Sequence, residues 1–360
     1  MHYRPAVFLL AFVLLVVDDS GMTGHAQGQA GGGSLSGDAM GGAALIFRKP
    51  ENPPLHTGTG SSAGAAGGGR ISGGPKGSPK VRAAAETAVA AKATAHEQVI
   101  AKANAARSAP RPRYAEAEQQ YKLAHAQDPN DARAQAGLGN IYLDQGRFNE
   151  AVEAYRQVLK IQPDYIRAYQ PLAYSLVRLN RYREAIETFT QALQYDPDNP
   201  EIYNNLAFAY VHSEKYAEAI AACQQAIALL GKTGEAYKLE LQVRNEVLSN
   251  AYKNLGNAYN ELKQYNEAAD ALKQATEIEP KNAAAHFSRG LALYNGGRYS
   301  EAIEAYKAVI ELKPNLAGAH YNLGLTYVAI NDQEGVRREY EILKPLNPGM
   351  AAQLQSFIKR

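Results

Sequence analysis

Asparagine is the residue type whose placement in this chain most invites a chemical reading. Asn205, Asn254 and Asn322 each stand immediately before a Leu-Ala or Leu-Gly pair. A carboxamide offers two N–H donors and an acceptor, so a recurring Asn suits recognition of polar backbone groups better than recognition of particular side chains. His286 and His320 recur in the same way, but a metal site needs three or four ligands with supporting partners, and no Cys, Asp or Glu shares their register. They stand where Tyr169, Tyr203 and Tyr252 stand elsewhere, so a packing role is expected of them. Cys223 is the only cysteine, which excludes an intramolecular disulfide, and its apolar register lacks the basic, exposed setting of a reactive thiolate. The sequence shows no Ser-His-Asp grouping, no phosphate-cradling Gly loop followed by Lys and no paired-carboxylate cleft. The expectation is a chain that is not an enzyme and uses no cofactor and no metal.

The elements that carry these residues follow from one repeated phrase: basic or polar, aromatic, any, Glu, Ala. It appears at Arg147-Phe148-Asn149-Glu150-Ala151, and its aromatic residues are Tyr114, Phe148, Tyr182, Tyr216, Tyr265 and Tyr299. Their separations are 34, 34, 34, 49 and 34 residues. A fixed period of this length marks a solenoid of stacked helix pairs. Within each unit a small residue (Gly139, Ala173, Ala207, Gly256, Gly290, Gly324) lies where the second helix crosses the first. A second small residue (Ala151, Ala185, Ala219, Ala268, Ala302) answers it. Bulk at either place costs about 1–3 kcal/mol by overpacking. Pro163, Pro197, Pro280, Pro314 and Pro348 close the units, because Pro lacks the amide donor and clashes with the preceding turn.

Over roughly residues 112–350 the sequence resembles the tetratricopeptide-repeat family. That resemblance implies an all-α fold, an α-solenoid forming a right-handed superhelix, in which the first helix of each unit lines a concave face where peptide ligands bind. The concave positions implied here include Arg133, Asn140, Arg167, Tyr174, Asn204, Asn205, Phe208, Lys253, Asn254, Asn257, Phe287, Tyr294, Tyr321 and Asn322. Of these, Asn140, Tyr174, Asn205, Phe208, Asn254, Asn257, Tyr321 and Asn322 are the candidate peptide-binding residues. Asn205, Asn254 and Asn322 are similar in position to the Asn ladder in the repeat arm of O-linked N-acetylglucosamine transferases, where amides hold an extended peptide by its backbone. Gly137, Pro171 and Ser288 interrupt that ladder here, and no transferase domain is expected. Lys253 and Asn257 match the start of a carboxylate clamp, but Ser288, Gly318 and Asn322 fall where Asn, Lys and Arg are needed, so the clamp is rejected.

Composition divides the chain. Residues 27–113 carry 11 Lys/Arg and 4 Asp/Glu, a net of +7, and residues 114–360 carry 26 and 30, a net of −4. A mildly acidic body argues against a folded nucleic-acid binder. Arg4, the twelve apolar residues 6–17, and Gly24 and Ala26 before Gln27 form an export signal. Twelve residues reach only ~18 Å as a helix, short of a ~30 Å hydrocarbon core. Retention as an uncleaved anchor is the alternative. The expected organisation is a signal (1–26), a disordered Gly/Pro-rich linker (27–80), an N-terminal helix with a partial repeat (81–131), units one to three (132–233), a helical insertion that projects (234–248), units four to six (249–350), and a capping helix (351–360) with Leu354, Phe357 and Ile358 inward. The function expected is a protein-interaction scaffold or adaptor, periplasmic or secreted, with protein or peptide partners. Self-association, a structural place in an envelope assembly, or service as the regulatory arm of a separate enzyme are the alternatives.

Overall fold

Why these residues form helix pairs is clearest at the turns. Gly146, Asn180, Glu214, Lys263, Gly297 and Asn331 all adopt a left-handed conformation, with φ between 58° and 76°. They recur at the spacing of the aromatic residues. After each, an amide reaches back to a carbonyl five residues earlier, as Arg147 N does to Tyr142 O at 2.8 Å and Lys215 N to Tyr210 O at 2.9 Å. That bond completes a Schellman turn and satisfies carbonyls that a helix end leaves open. The next helix starts two residues on, with a Glu in its first turn.

The computed structural model describes residues 49–54, 79–231 and 241–358. The expected signal lies outside the described residues, as do most of the linker and the first part of the insertion. The described helices are α1 (Pro79–Arg107), α2 (Tyr114–Gln127), α3 (Ala132–Asp144), α4 (Phe148–Ile161), α5 (Tyr169–Arg178, preceded by a 3₁₀ turn at Ile166–Ala168), α6 (Tyr182–Tyr195), α7 (Pro200–Val211), α8 (Tyr216–Gly231), α9 (Leu241–Glu261), α10 (Tyr265–Ile278), α11 (Ala283–Asn295), α12 (Tyr299–Leu312), α13 (Ala317–Ala329), α14 (Gln333–Leu346) and α15 (Pro348–Gln355). No strand occurs among the described residues, and none of the helices described is long and apolar enough to cross a membrane.

Odd-numbered helices up to α13, here called A helices, pack on the following even-numbered B helix and on the B helix before them. Several successive A helices also pack together, as α7 and α9 do, whereas the B helices α4 and α6 meet through the Arg156–Glu184 ion pair at 2.5 Å. The A helices are therefore the inner wall of the array. Between the layers lie the small-against-large pairings expected of a crossing point: a Cβ on Gly290 would sit 2.7 Å from the Tyr306 ring, and one on Gly139 2.9 Å from the Tyr155 ring. Asp131, Asn199, Asn282 and Asp332 cap the N-termini of α3, α7, α11 and α14 by accepting backbone amides.

Four expectations need correction. The upstream region is a full pair, because α1 packs along α2 through Ile100, Ala103, Ala117, Tyr121 and Ala124. Pro110 and Pro112 fall in the connection and break neither helix. Residues 49–54, assigned above to a disordered linker, lie against α1 and α3 with side-chain and backbone hydrogen bonds. The helical part of the insertion does not project: α9 begins early, at Leu241, and turns Val247 fully into the core beside Leu230. Arg244 Nη2 there donates to Leu230 O at 2.7 Å, closing the end of α8. Finally, the closing helix starts at Pro348 and ends at Gln355. Leu354 is buried over Gly324, but Phe357 lies past the helix end and is exposed.

Candidate functional site

The most developed polar surface of the inner wall lies on α1 and α3. Tyr121 and Tyr155, each buried in its B helix, donate their hydroxyls to Asn104 Oδ1 at 2.5 Å and Asn140 Oδ1 at 2.6 Å. Burial pushes both phenols above their ordinary range, so they stay protonated and act as donors. With its oxygen held from behind in this way, each carboxamide turns its N–H groups to the wall surface. Those groups hold residues 49–54. Asn140 Nδ2 donates to Glu51 O at 2.8 Å, and Asn104 Nδ2 to Pro53 O at 3.0 Å. Carbonyls two residues apart facing one wall are the alternation of an extended chain.

Charged residues flank this pair of rungs. Arg107, on the last turn of α1, donates to both oxygens of Asp144 at 2.8 and 3.3 Å. Two further donors go to Asn52 Oδ1 at 2.8 Å and Pro50 O at 3.0 Å. The Asp144 side chain is 1% exposed and also meets Lys49 Nζ at 3.2 Å. At the other end of α3, Arg133 pairs with Asp131 and with Glu97 of α1, and its Nη1 donates to Pro54 O at 3.1 Å. Burial works against the Arg133 charge, but its hydrogen bonds to Asp131 and Glu97 outweigh that and hold the guanidinium above its ordinary value. Asp131 mirrors it: burial raises its pKa, and the hydrogen bonds from Arg133 and His96 bring it below the usual carboxylate value. The Asn52 amide is read at both ends, with Nδ2 donating to Asn104 O at 3.2 Å and to Ser108 Oγ at 2.5 Å. Pro53 is buried. Beyond Glu51 the wall continues as a cleft of about 540 Å³ beside Tyr165, Gln170, Pro171 and Ile202.

The eight sequence-selected residues do not form one site. They are spread from α3 to α13, and among them Asn140 is the one that holds the 49–54 segment. Asn205 and Asn254 are buried between α7 and α9, where Asn254 Nδ2 donates to Asn204 Oδ1 at 3.0 Å and Asn204 Nδ2 to Asn205 Oδ1 at 3.3 Å. Asn322 is half-buried, and the Tyr306 hydroxyl lies within its hydrogen-bond reach. Tyr174 is buried, edge-on to Phe148, and accepts from Arg178 Nη1 at 2.9 Å. Phe208 packs on His212 with ring centroids 4.4 Å apart. Tyr321 and Asn257 are half-buried, and Asn257 Nδ2 has no partner among the described residues. Lys253 is 2% exposed, unlike a cation waiting for a carboxylate. His286 and His320 set Nε2 against the carbonyls of Pro280 and Pro314, as the Tyr169 hydroxyl does against Pro163. His320 Nδ1 also meets Glu339 Oε2 at 2.7 Å. Among the described residues no cluster could hold a metal ion, and burial pushes the Cys223 thiol well above its ordinary value.

Asn104, Arg107 and Asp144 escaped the sequence reading. Asn104 is to Tyr121 what Asn140 is to Tyr155. However, the α1–α2 connection has six residues, 108–113, where α3–α4 has three, 145–147. A search at a fixed period of 34 passes over it.

Stacked helix pairs with an inner wall of A helices define an α-solenoid. Two family models match the sequence: that of the TPR repeat, over residues 256–297 and 290–331, and that of the cytochrome c-type biogenesis protein H TPR domain, over residues 120–237. The chain is a tetratricopeptide-repeat protein. No curated protein matches it. Among solved structures, it is similar to pilF of Pseudomonas aeruginosa, at 20% identity, 64% of this chain, 99% of that one and a TM-score of 0.51. A tetratricopeptide repeat protein from Parabacteroides merdae matches at 15% identity over 74% of this chain and 99% of that one, with a TM-score of 0.53. YrrB, a TPR protein with an unusual peptide-binding site, matches at 24% identity over 57% and 100%, with a TM-score of 0.45.

Proposed function

We propose that this chain is a non-enzymatic interaction scaffold, exported from the cytoplasm, that binds protein partners as extended peptides on its A-helix wall. One observation carries the binding half of this reading. Asn104 and Asn140, oriented from behind by buried tyrosine hydroxyls, grip a stretch of irregular chain by alternate carbonyls. Reading main chain in this way suits a scaffold, because a peptide bond presents the same carbonyl whatever side chain it carries. The export half rests on Arg4, the apolar residues 6–17 and the small residues before Gln27.

The binding test is peptide selection against full-length Lys49→Ala/Asn52→Ala, in which residues 49–54 no longer compete for the rungs, followed by the addition of Asn104→Ala/Asn140→Ala. Each lost hydrogen bond is worth about 0.5–1.5 kcal/mol net, so selected peptides should bind the protein lacking both asparagines roughly 5- to 150-fold more weakly. Selected peptides that bind both proteins equally would place recognition elsewhere and refute the assignment. For export, the N-terminal sequence of protein recovered outside the cytoplasm should begin at Gln27. Recovery of full-length chain in the cytoplasm alone would refute it.

A further inference from the structure

We infer that residues 49–54 are an internal ligand: they occupy the α1–α3 groove in cis, and the groove selects a partner peptide of the same chemistry, Lys-Pro-any-Asn-Pro. The inference rests on the peptide-binding reading above and deepens it. What distinguishes this segment from a passive tether is that its side chains are read as well as its backbone. The Asn52 amide accepts from Arg107 Nη1 and donates to Asn104 O and Ser108 Oγ, so both its polar ends are committed. Neither Asp nor Leu can satisfy that set, because one lacks the donor and the other both functions. Lys49 meets an almost fully buried carboxylate, Asp144, and Pro53 is buried in its slot. By contrast, Glu51 reaches Arg167 at 3.4 Å with both side chains mostly exposed, which contributes little. The third position is therefore free.

The chain carries the same spacing once more, at Lys344, Pro345, Asn347 and Pro348. There Asn347 caps α15 and Pro348 begins it, so that copy is built into the fold and cannot enter the groove. The leader copy is the one that competes. In sequence it stands 24 residues, 55–78, before α1. A tether of this order gives an effective concentration on the order of 1 mM. Against an intrinsic Kd on the order of 100 μM, such a segment weakens an incoming peptide by about tenfold, because only the vacated fraction can bind. A partner must then present several copies, or a tighter variant of the sequence, to displace it.

The probe is a fluorescein-labelled synthetic peptide of residues 47–55, titrated by anisotropy into full-length chain and into full-length Lys49→Ala/Asn52→Ala. Both substitutions lie in the segment and leave the Arg107–Asp144 pair in place, and circular dichroism of the variant serves as the check on its fold. The variant should bind the probe about tenfold more tightly than wild type. A probe with Asn52→Ala should lose at least about tenfold on the variant. Equal binding by wild type and variant would overturn cis occupancy while leaving the peptide groove standing. No binding to the variant up to millimolar probe would overturn the groove as well. Equal affinity for the two probes would overturn the sequence preference. Sedimentation supplies a second measurement: a wild-type dimer that disappears in the variant would show the segment crossing to another copy, and the cis assignment would fall.

Discussion

Replacing Arg107 with Met tests the physical basis of the groove. Arg107 is 5% exposed and makes two charge-assisted bonds to Asp144, whose side chain is 1% exposed. Met keeps the aliphatic stem but leaves Asp144 with Lys49, which is itself half-exposed. Removing one partner of a buried ion pair costs about 3–5 kcal/mol, mostly as the uncompensated charge that remains. In a solenoid each unit is supported by its neighbours alone, so the loss stays local. The assay is native-state hydrogen exchange. Amides of α1 to α3 should exchange over about a hundredfold faster in Arg107→Met, since each 1.4 kcal/mol is a factor of ten, while amides of α10 to α14 keep their wild-type rates. The double variant Arg107→Met/Asp144→Asn should recover at least about 2 kcal/mol of the single-site loss, because no buried charge is then stranded. A change below threefold in α1 to α3, or a double variant whose loss equals the sum of the two singles, would show that the pair does not hold this end of the array together.

Three further outcomes follow from the same geometry. Lys263 sits at φ 61° in a turn where four other units use Gly or Asn and one uses Glu214; Lys263→Gly relieves a left-handed strain of about 1 kcal/mol and should raise the melting temperature, with a lowered value counting against the turn assignment. A Cβ on Gly256 would overlap the Leu272 side chain and lie 3.1 Å from the Ala268 carbonyl, so Gly256→Ala should cost about 1–3 kcal/mol in urea unfolding, and a neutral result would mean the α9–α10 crossing is looser than described. The folded pKa of Asp131 lies below its ordinary 3.8, so the unfolded chain takes up this proton first. Its contribution is complete above about pH 4 and is lost as pH falls through the lowered folded value. Asp131→Asn keeps a capping side chain and should flatten the acid-unfolding profile of the N-terminal units in that window, whereas an unchanged profile would refute the role.

The periodic part of the molecule was legible because one packing problem is solved repeatedly in the same way. The small residue at a crossing, the aromatic residue opening each B helix and the Pro after it are all forced by contacts within a unit, so they recur at 34 residues. The α1–α2 pair was half-read because its six-residue connection shifts the register, and because the apolar stripe of α1 is mainly Ala, with Ile100 the one large fully buried side chain described on it. The candidate site was read least well. Sequence register identified Asn205, Asn254 and Asn322 as equivalent, but equivalence along the chain does not set the direction in which an amide points. Asn140 faces the groove because Tyr155 holds its oxygen from behind. In the α5–α6 unit Phe189 replaces that tyrosine and Tyr174 replaces the asparagine, so the pair of rungs ends there. Orientation came from a residue fifteen positions away in the partner helix, a relation that no single-position reading contains.

The balance of donors and acceptors on the α1–α3 wall also limits what can occupy it. Asp131, Glu97 and Asp144 neutralise Arg133 and Arg107, yet each guanidinium has more N–H groups than its carboxylates can accept, and both Asn104 and Asn140 present donors after their oxygens are committed. The wall therefore has a surplus of N–H groups with little net charge. An apolar ligand would strand them at about 1–3 kcal/mol per buried group, and a phosphate or free carboxylate would meet the repulsion of Asp131, Glu97 and Asp144. Peptide carbonyls fit both conditions: they accept without carrying charge, and a short stretch of chain supplies several of them. Pro50, Glu51, Pro53 and Pro54 supply four of them. The prolines also lack the amide hydrogens that would add further donors to a wall already rich in them.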